Sequence, residues 1–298
     1  MFRVISAAFL VLLARPIMAE TIDVTDRLAY PQLFEADQTG AGPRDLVLLG
    51  TDLVEIAVAL GAADRILARP DAVDLPGIGD TPVKMRETAG VEGIAAMRPG
   101  VVVASNVRYE RLLTGLDAIK IPTELIDRTL PATEKVTRMA ALLGLKDRGD
   151  KLNEAILADY AQAETITRAE RPLRILHASK QGAGGSFSAG GTGTAVHNLI
   201  RRVGAENAAA DVGMDRYRSV TPEGVILMAP DVVIISAAEL PMFGDPDQIW
   251  LNYPGLAHTP AGQNKRLIVM QELHVRADAA SSGIATLALA EALAEMFP

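Results

Sequence analysis

The stretch Glu92-Gly93-Ile94-Ala95-Ala96-Met97-Arg98-Pro99-Gly100-Val101-Val102-Val103-Ala104-Ser105 recurs as Glu223-Gly224-Val225-Ile226-Leu227-Met228-Ala229-Pro230-Asp231-Val232-Val233-Ile234-Ile235-Ser236. Seven of the fourteen positions are identical, at a constant offset of 131 residues. Each copy reads as a short helix, a proline break and a buried strand rich in β-branched residues. Helix–proline–strand alone recurs in any parallel α/β protein. Identity at half of an ungapped stretch points further, to two structurally equivalent lobes. A second echo agrees: Leu60-Gly61-Ala62-Ala63-Asp64 and Val203-Gly204-Ala205-Glu206-Asn207 both close a helix.

Working outward, Asp45 to Gly50 is a buried strand closed by glycine. Thr51-Asp52 caps a helix with the apolar stripe Leu53, Ile56, Ala57 and Leu60, and Arg65 to Ala68 is a second strand. Strand, helix, strand in this order demands a parallel sheet. Residues 147–170 contain no proline, and Leu152, Ile156, Tyr160 and Ala163 recur at helical spacing. They predict one helix about 35 Å long at about 1.5 Å per residue. Arg171-Pro172 stops it, and the second lobe starts with a strand at 173–176. The fold class is therefore α/β: two Rossmann-like lobes with central parallel sheets, joined by one long helix. The expected divisions are a leader at 20–42, an N-terminal lobe at 43–146, the connecting helix at 147–170 and a C-terminal lobe at 171–298.

Composition narrows the function. The 298 residues carry a net charge of −8, four histidines, twelve aromatics and no cysteine. Without cysteine there is no disulfide scaffold, thiolate metal site or thiol nucleophile. The acidic balance argues against a nucleic-acid surface. Residues 1–19 read as a secretory signal, with Arg3 before the apolar run Val4 to Ala14 and a cut near Ala19. Cleavage leaves 27 basic and 37 acidic residues, a net of −10, in a chain expected in the periplasm.

An exported chain of two repeated lobes joined by one helix resembles the helical-backbone periplasmic binding proteins of ABC importers. The segments that carry the resemblance are Gly50-Thr51-Asp52-Leu53-Val54-Glu55-Ile56, Leu75-Pro76-Gly77-Ile78-Gly79, Val91-Glu92-Gly93-Ile94 through Arg98-Pro99, Gly190 to Thr194, and Leu256-Ala257-His258-Thr259-Pro260-Ala261-Gly262. The third and fourth are most similar to the haem-delivering branch. The resemblance implies a non-enzymatic monomer that captures haem between its lobes and delivers it to a permease dimer in the inner membrane. It also implies that Glu92 and Glu223, one per lobe, dock on that permease; a glutamate in a first helical turn is also favoured by the helix dipole alone. In that branch a Gly-Tyr-x-Arg motif supplies a phenolate to the iron. Here Arg86 retains the arginine and Lys84 stands where the tyrosine belongs. A ferric siderophore or cobalamin is the alternative cargo, and a two-lobed Rossmann-like enzyme is the alternative class.

Anionic chelates call for cations at the rim of an apolar cleft, and ligands of α/β sheets bind beyond strand C-termini. Lys84, Arg86 and Arg108 in the first lobe, and Lys180 and Arg276 in the second, meet that condition. Tyr109 and His274 are the candidate iron ligands. Arg111, Met85, His177, His197, His258, Trp250 and Tyr253 are weaker candidates, each with an ordinary structural role to fill. The glycine-rich run 182–193 lacks the Gly-Lys-Ser/Thr of a nucleotide loop. No Ser–His–Asp or His-Glu-x-x-His constellation supports an enzyme.

Overall fold

A computed structural model describes residues 21–35, 43–86, 89–166, 169–180 and 187–298. The secretory segment at 1–19 lies outside them, as do residues 20 and 36–42 of the expected leader and residues 182–186 of the glycine-rich run. Twelve strands are present among the described residues: β1 Thr21–Asp23, β2 Leu46–Leu49, β3 Ile66–Pro70, β4 Val83–Met85, β5 Val101–Ala104, β6 Thr123–Leu125, β7 Arg174–Ser179, β8 Ser188–Gly190, β9 Glu206–Asn207, β10 Tyr217–Ser219, β11 Val232–Ser236 and β12 Leu267–Met270.

The first lobe is an all-parallel sheet in the order β4-β3-β2-β5-β6. Strand β2 is buried at every position because helices cover both faces. The second lobe runs β1-β12-β11-β7 in parallel and continues into β8 and β10, which are antiparallel, with β9 beside β7. The repeated segments fall on equivalent elements. The helices Val91–Ala96 and Pro222–Met228 lead into β5 and β11, each beside the first strand of its lobe's central pair. The repeat extends to the backbone. Arg98 and Ala229, 131 residues apart, both take positive φ, at 54° and 43°, immediately before the shared proline. L-residues avoid this conformation, so its reuse at matched positions marks one structural solution used twice.

Thr21–Asp23 corrects the expected leader. It is an edge strand of the second lobe, with Thr21 opposite Leu267. The chain then crosses to the first lobe, where Tyr30 is buried in the core and Arg148 stacks on Phe34 at 5.1 Å. The lobes are thus joined twice, by this strap and by the helix Lys146–Thr165. That helix packs on Ala132–Leu143 of the first lobe and on the final helix, Ser282–Met296, of the second. Tyr160 donates to Ser282 Oγ at 2.8 Å across the second contact. Gly283 permits the close approach, since a Cβ there would stand 2.9 Å from the Ile156 Cα.

A polar seam also ties the lobes beneath the sheet ends. Lys135, wholly buried, donates to the carbonyls of Arg128 in lobe one and Ala277 in lobe two, at 3.3 and 3.2 Å, and pairs with Asp52 at 3.6 Å. Buried Glu55 accepts the Ser281 N–H. Burial pushes the Glu55 carboxyl up to about 8, against the lowering effects of Ser281 and Lys135. Ala277, Ala279 and Ala280 belong to the second lobe in sequence, yet they pack into the first lobe's core. Each fully buried Leu or Ile there contributes about 1.5–3 kcal/mol, so the seam is flanked by ordinary apolar cohesion.

Candidate functional site

Both sheets change direction at their central pair, β2/β5 and β7/β11, and open a crevice beyond the strand C-termini. The two crevices face each other across one cleft. It has two adjoining compartments of about 480 and 640 Å³, and Thr51 and Arg128 line both. Gly50, between β2 and the helix Thr51–Ala59, is required for the floor: a Cβ would fall 2.1 Å from Ser105 Oγ at the end of β5.

The smaller compartment belongs to lobe one. Arg86, Arg108 and Tyr109 all line it. Arg86 is held loosely by Asp71 at 3.4 Å and is largely exposed. Arg108 donates to its neighbour's phenol at 2.5 Å and lies over the Tyr109 ring. Lys84 sits on the exposed edge strand β4, outside both compartments. Its neighbours Met85 and Arg86 line the smaller compartment instead. The loop that leads to β4 is wrapped around buried Arg69, which donates to the carbonyls of Val73 and Ile78 at 2.6 and 3.2 Å.

The larger compartment spans both lobes, and its chemistry centres on a residue the sequence reading did not select. Tyr217 begins β10, directly after Arg216, whose positive φ of 59° is held by the Arg216 N–H donating to the Thr192 carbonyl at 2.8 Å. Its hydroxyl meets His177 Nδ1 at 3.1 Å, and the two rings are edge to face. The Arg276 guanidinium lies 4.7 Å from the Tyr217 ring centroid. Burial pushes the Tyr217 phenol up to about 12, opposed by the charges of Arg276 and Arg128. His177 is pushed down to about 3 by burial and then by Arg276, so it is neutral. With its proton on Nε2 the ring accepts from the phenol; with it on Nδ1 the ring donates to a phenolate. The signal for Tyr217 lay in the repeat: it stands six residues before Glu223, as Arg86 stands six before Glu92.

Arg276 lines the same compartment, but its fork is engaged. It donates to Ser179 Oγ and Glu239, both at 2.5 Å, and to Glu272 at 3.0 Å. It therefore acts on Tyr217 more than on open solvent. His274 does not reach the cleft. The turn Glu272–Arg276 presents Leu273 and Arg276 to the compartment, three residues apart, which sends His274 inward. There its Nε2 meets the Leu28 carbonyl at 3.1 Å, and burial lowers its basicity. Lys180 also turns away. It bonds the Met242 carbonyl at 2.7 Å and the Tyr253 hydroxyl, over an aromatic cluster that includes Phe243. Trp250 and Tyr253 are buried core residues of that region. Glu92 and Glu223 are both exposed, each in the first turn of its repeated helix. Among the described residues no helix is long and apolar enough to cross a membrane.

The fold is shared with solved proteins. The periplasmic heme-binding protein RhuT from Roseiflexus sp. RS-1, in its apo form, is similar at 26% identity and a TM-score of 0.74, over 86% of this chain and 100% of that one. The periplasmic heme-binding protein BhuT in complex with two hemes is similar at 25% identity and a TM-score of 0.74, with the same coverage. The heme-binding protein HmuT, at 24% identity and a TM-score of 0.73 over 93% of this chain and 94% of that one, shares the fold. No curated protein matches the chain in sequence. The periplasmic binding protein family matches residues 46–273 in sequence, from the first strand of lobe one to the cleft turn of lobe two. The repeated lobes, the cleft at their facing strand ends and that match together make this chain a member of the periplasmic binding protein family.

Proposed function

We propose that this protein is a periplasmic substrate-binding protein that captures haem between its lobes and delivers it to an ABC importer. It is a binding protein and not an enzyme. The observation that carries this reading is Tyr217: a phenol on the wall of a two-lobe cleft, backed by a neutral imidazole and beneath a guanidinium. Ferric iron takes phenolate oxygen readily, and a neighbouring cation lowers the cost of the negative ligand. The pseudo-symmetric edge of lobe one offers Lys84 and Arg86, so the oxygen ligand has changed lobes. The similarity to RhuT and BhuT, both heme-binding, supports haem as the cargo.

In this reading Arg86, Arg108 and Tyr109 form the lobe-one wall, and Tyr109, whose hydroxyl accepts from Arg108, is the second candidate oxygen ligand. The test is an absorption titration of the mature protein with hemin. A saturable Soret shift is expected. Its absence would sink the haem reading and favour a ferric siderophore or cobalamin in the same cleft.

Delivery is assigned to Glu92 and Glu223. They are exposed, acidic and matched by the repeat, which suits a two-fold permease. Replacing both by alanine is expected to lower transport into permease-bearing vesicles while hemin affinity holds. A matching fall in affinity would contradict the docking role.

A further inference from the structure

Arg128 is the described cation common to both compartments, and its backbone is immobilised. Its N–H donates to the Ser105 carbonyl at 2.8 Å, and its carbonyl accepts from buried Lys135 at 3.3 Å. The neighbouring turn is closed by Thr129, whose N–H and hydroxyl both reach Asp127 at 2.8 Å. The side chain is a different matter. It is exposed, no carboxylate lies within ion-pair distance among the described residues, and its guanidinium reaches only the Arg276 carbonyl at 3.5 Å. That carbonyl belongs to the opposite lobe.

The other arginines of the larger compartment are engaged by acids: Arg276 by Glu239 and Glu272, and Arg216 by Asp215 at 3.7 Å. A planar fork on a rigid backbone, projecting into a cleft and holding only a long neutral contact, is preorganised for a bidentate anion. Arg128 and Tyr217 line the same compartment, so one chelate is able to engage both.

We propose that Arg128 is the carboxylate receptor of the cleft, pairing from lobe one with an acidic arm of the chelate whose metal is held from lobe two by Tyr217. The inference rests on the haem reading and adds the part of the ligand that is recognised. The carboxylate exchanges a neutral carbonyl contact for a charge-assisted one, and the bound ligand bridges the lobes. Selection is then for metalloporphyrins with free acidic arms over esterified ones.

The experiment compares hemin with hemin dimethyl ester by absorption titration, in wild type, Arg128→Gln and Arg128→Lys. Wild type is expected to prefer hemin by about tenfold or more. In Arg128→Gln that preference disappears through weaker hemin binding, while diester affinity holds. Arg128→Lys keeps the charge, loses the fork and falls between. A preference unchanged in Arg128→Gln, or an equal loss for both ligands, overturns the inference and leaves the haem reading standing. A wild type that binds hemin no better than the diester also overturns it. Failure of wild type to bind hemin at all overturns both.

Discussion

Tyr217→Phe is expected to remove most hemin affinity and change the absorption spectrum of whatever complex remains. The substitution keeps the ring under Arg276 and deletes only the hydroxyl that meets His177. Packing is therefore preserved, and the lost atom is the one a ferric ion would take. A truncation at a buried, central contact costs about 2–4 kcal/mol, or roughly 30- to 1,000-fold in Kd. The pH dependence supplies a second readout. A phenol pushed up to about 12 must lose its proton to bind iron, so hemin affinity should rise with pH in wild type. The variant should lack that slope. If Tyr217→Phe binds hemin with an unchanged spectrum and affinity, Tyr217 is not the ligand, and Tyr109→Phe becomes the decisive comparison.

The second large effect is on stability. Lys135→Met is expected to destabilise the protein by about 3–5 kcal/mol, the usual consequence of removing one partner from a buried ion pair. For a chain of this size that corresponds to a fall in Tm of roughly 10 °C. The side chain is wholly buried between the lobes, and methionine fills similar space without the charge. Three groups lose their partner together: Asp52 and the carbonyls of Arg128 and Ala277.

The pH dependence of that loss has a defined sign. Glu55 has a folded pKa near 8, above its ordinary value of 4.5, so the native state holds a proton that the unfolded chain releases. The associated stability is complete at low pH and falls as pH rises from about 4.5 towards 8. Lys135 is one of the groups that pull Glu55 down. Without it the decline continues further, and the gap between wild type and Lys135→Met should widen from pH 5 to pH 8. Calorimetric scans at the two pH values check this; a gap that narrows would contradict the account.

Most of the architecture was legible in local patterns. Buried strands announce themselves as runs of Val, Ile and Leu, and the strand expected over Asp45 to Gly50 is β2, Leu46–Leu49. The 131-residue repeat carried the two-lobe organisation because the same helix–proline–strand problem is solved in each lobe by the same residues. What escaped was of two kinds. Thr21–Asp23 is three residues long, polar and paired to a strand 246 positions away, so no local pattern marks it. His274 and Lys180 follow strands, as cleft residues should, but helical phase in one case and an aromatic cluster in the other turn them aside.

The sequence by itself determined the class, the repeat, the connecting helix and the absence of thiol chemistry, because these depend on composition and short-range periodicity. It also placed Lys84 where the resemblance expects a tyrosine. Only the tertiary structure brought the Tyr217 phenol and the Arg128 guanidinium to the wall of one compartment. Tyr217 acquires its chemistry from His177 and Arg276, 40 and 59 residues away along the chain. Arg128 and Arg276 are both arginines beyond strand ends, and only packing distinguishes them: two carboxylates pair with Arg276, while among the described residues none lies within ion-pair distance of Arg128. Charge compensation acts over a few ångströms in space, and spacing along the chain carries no record of it.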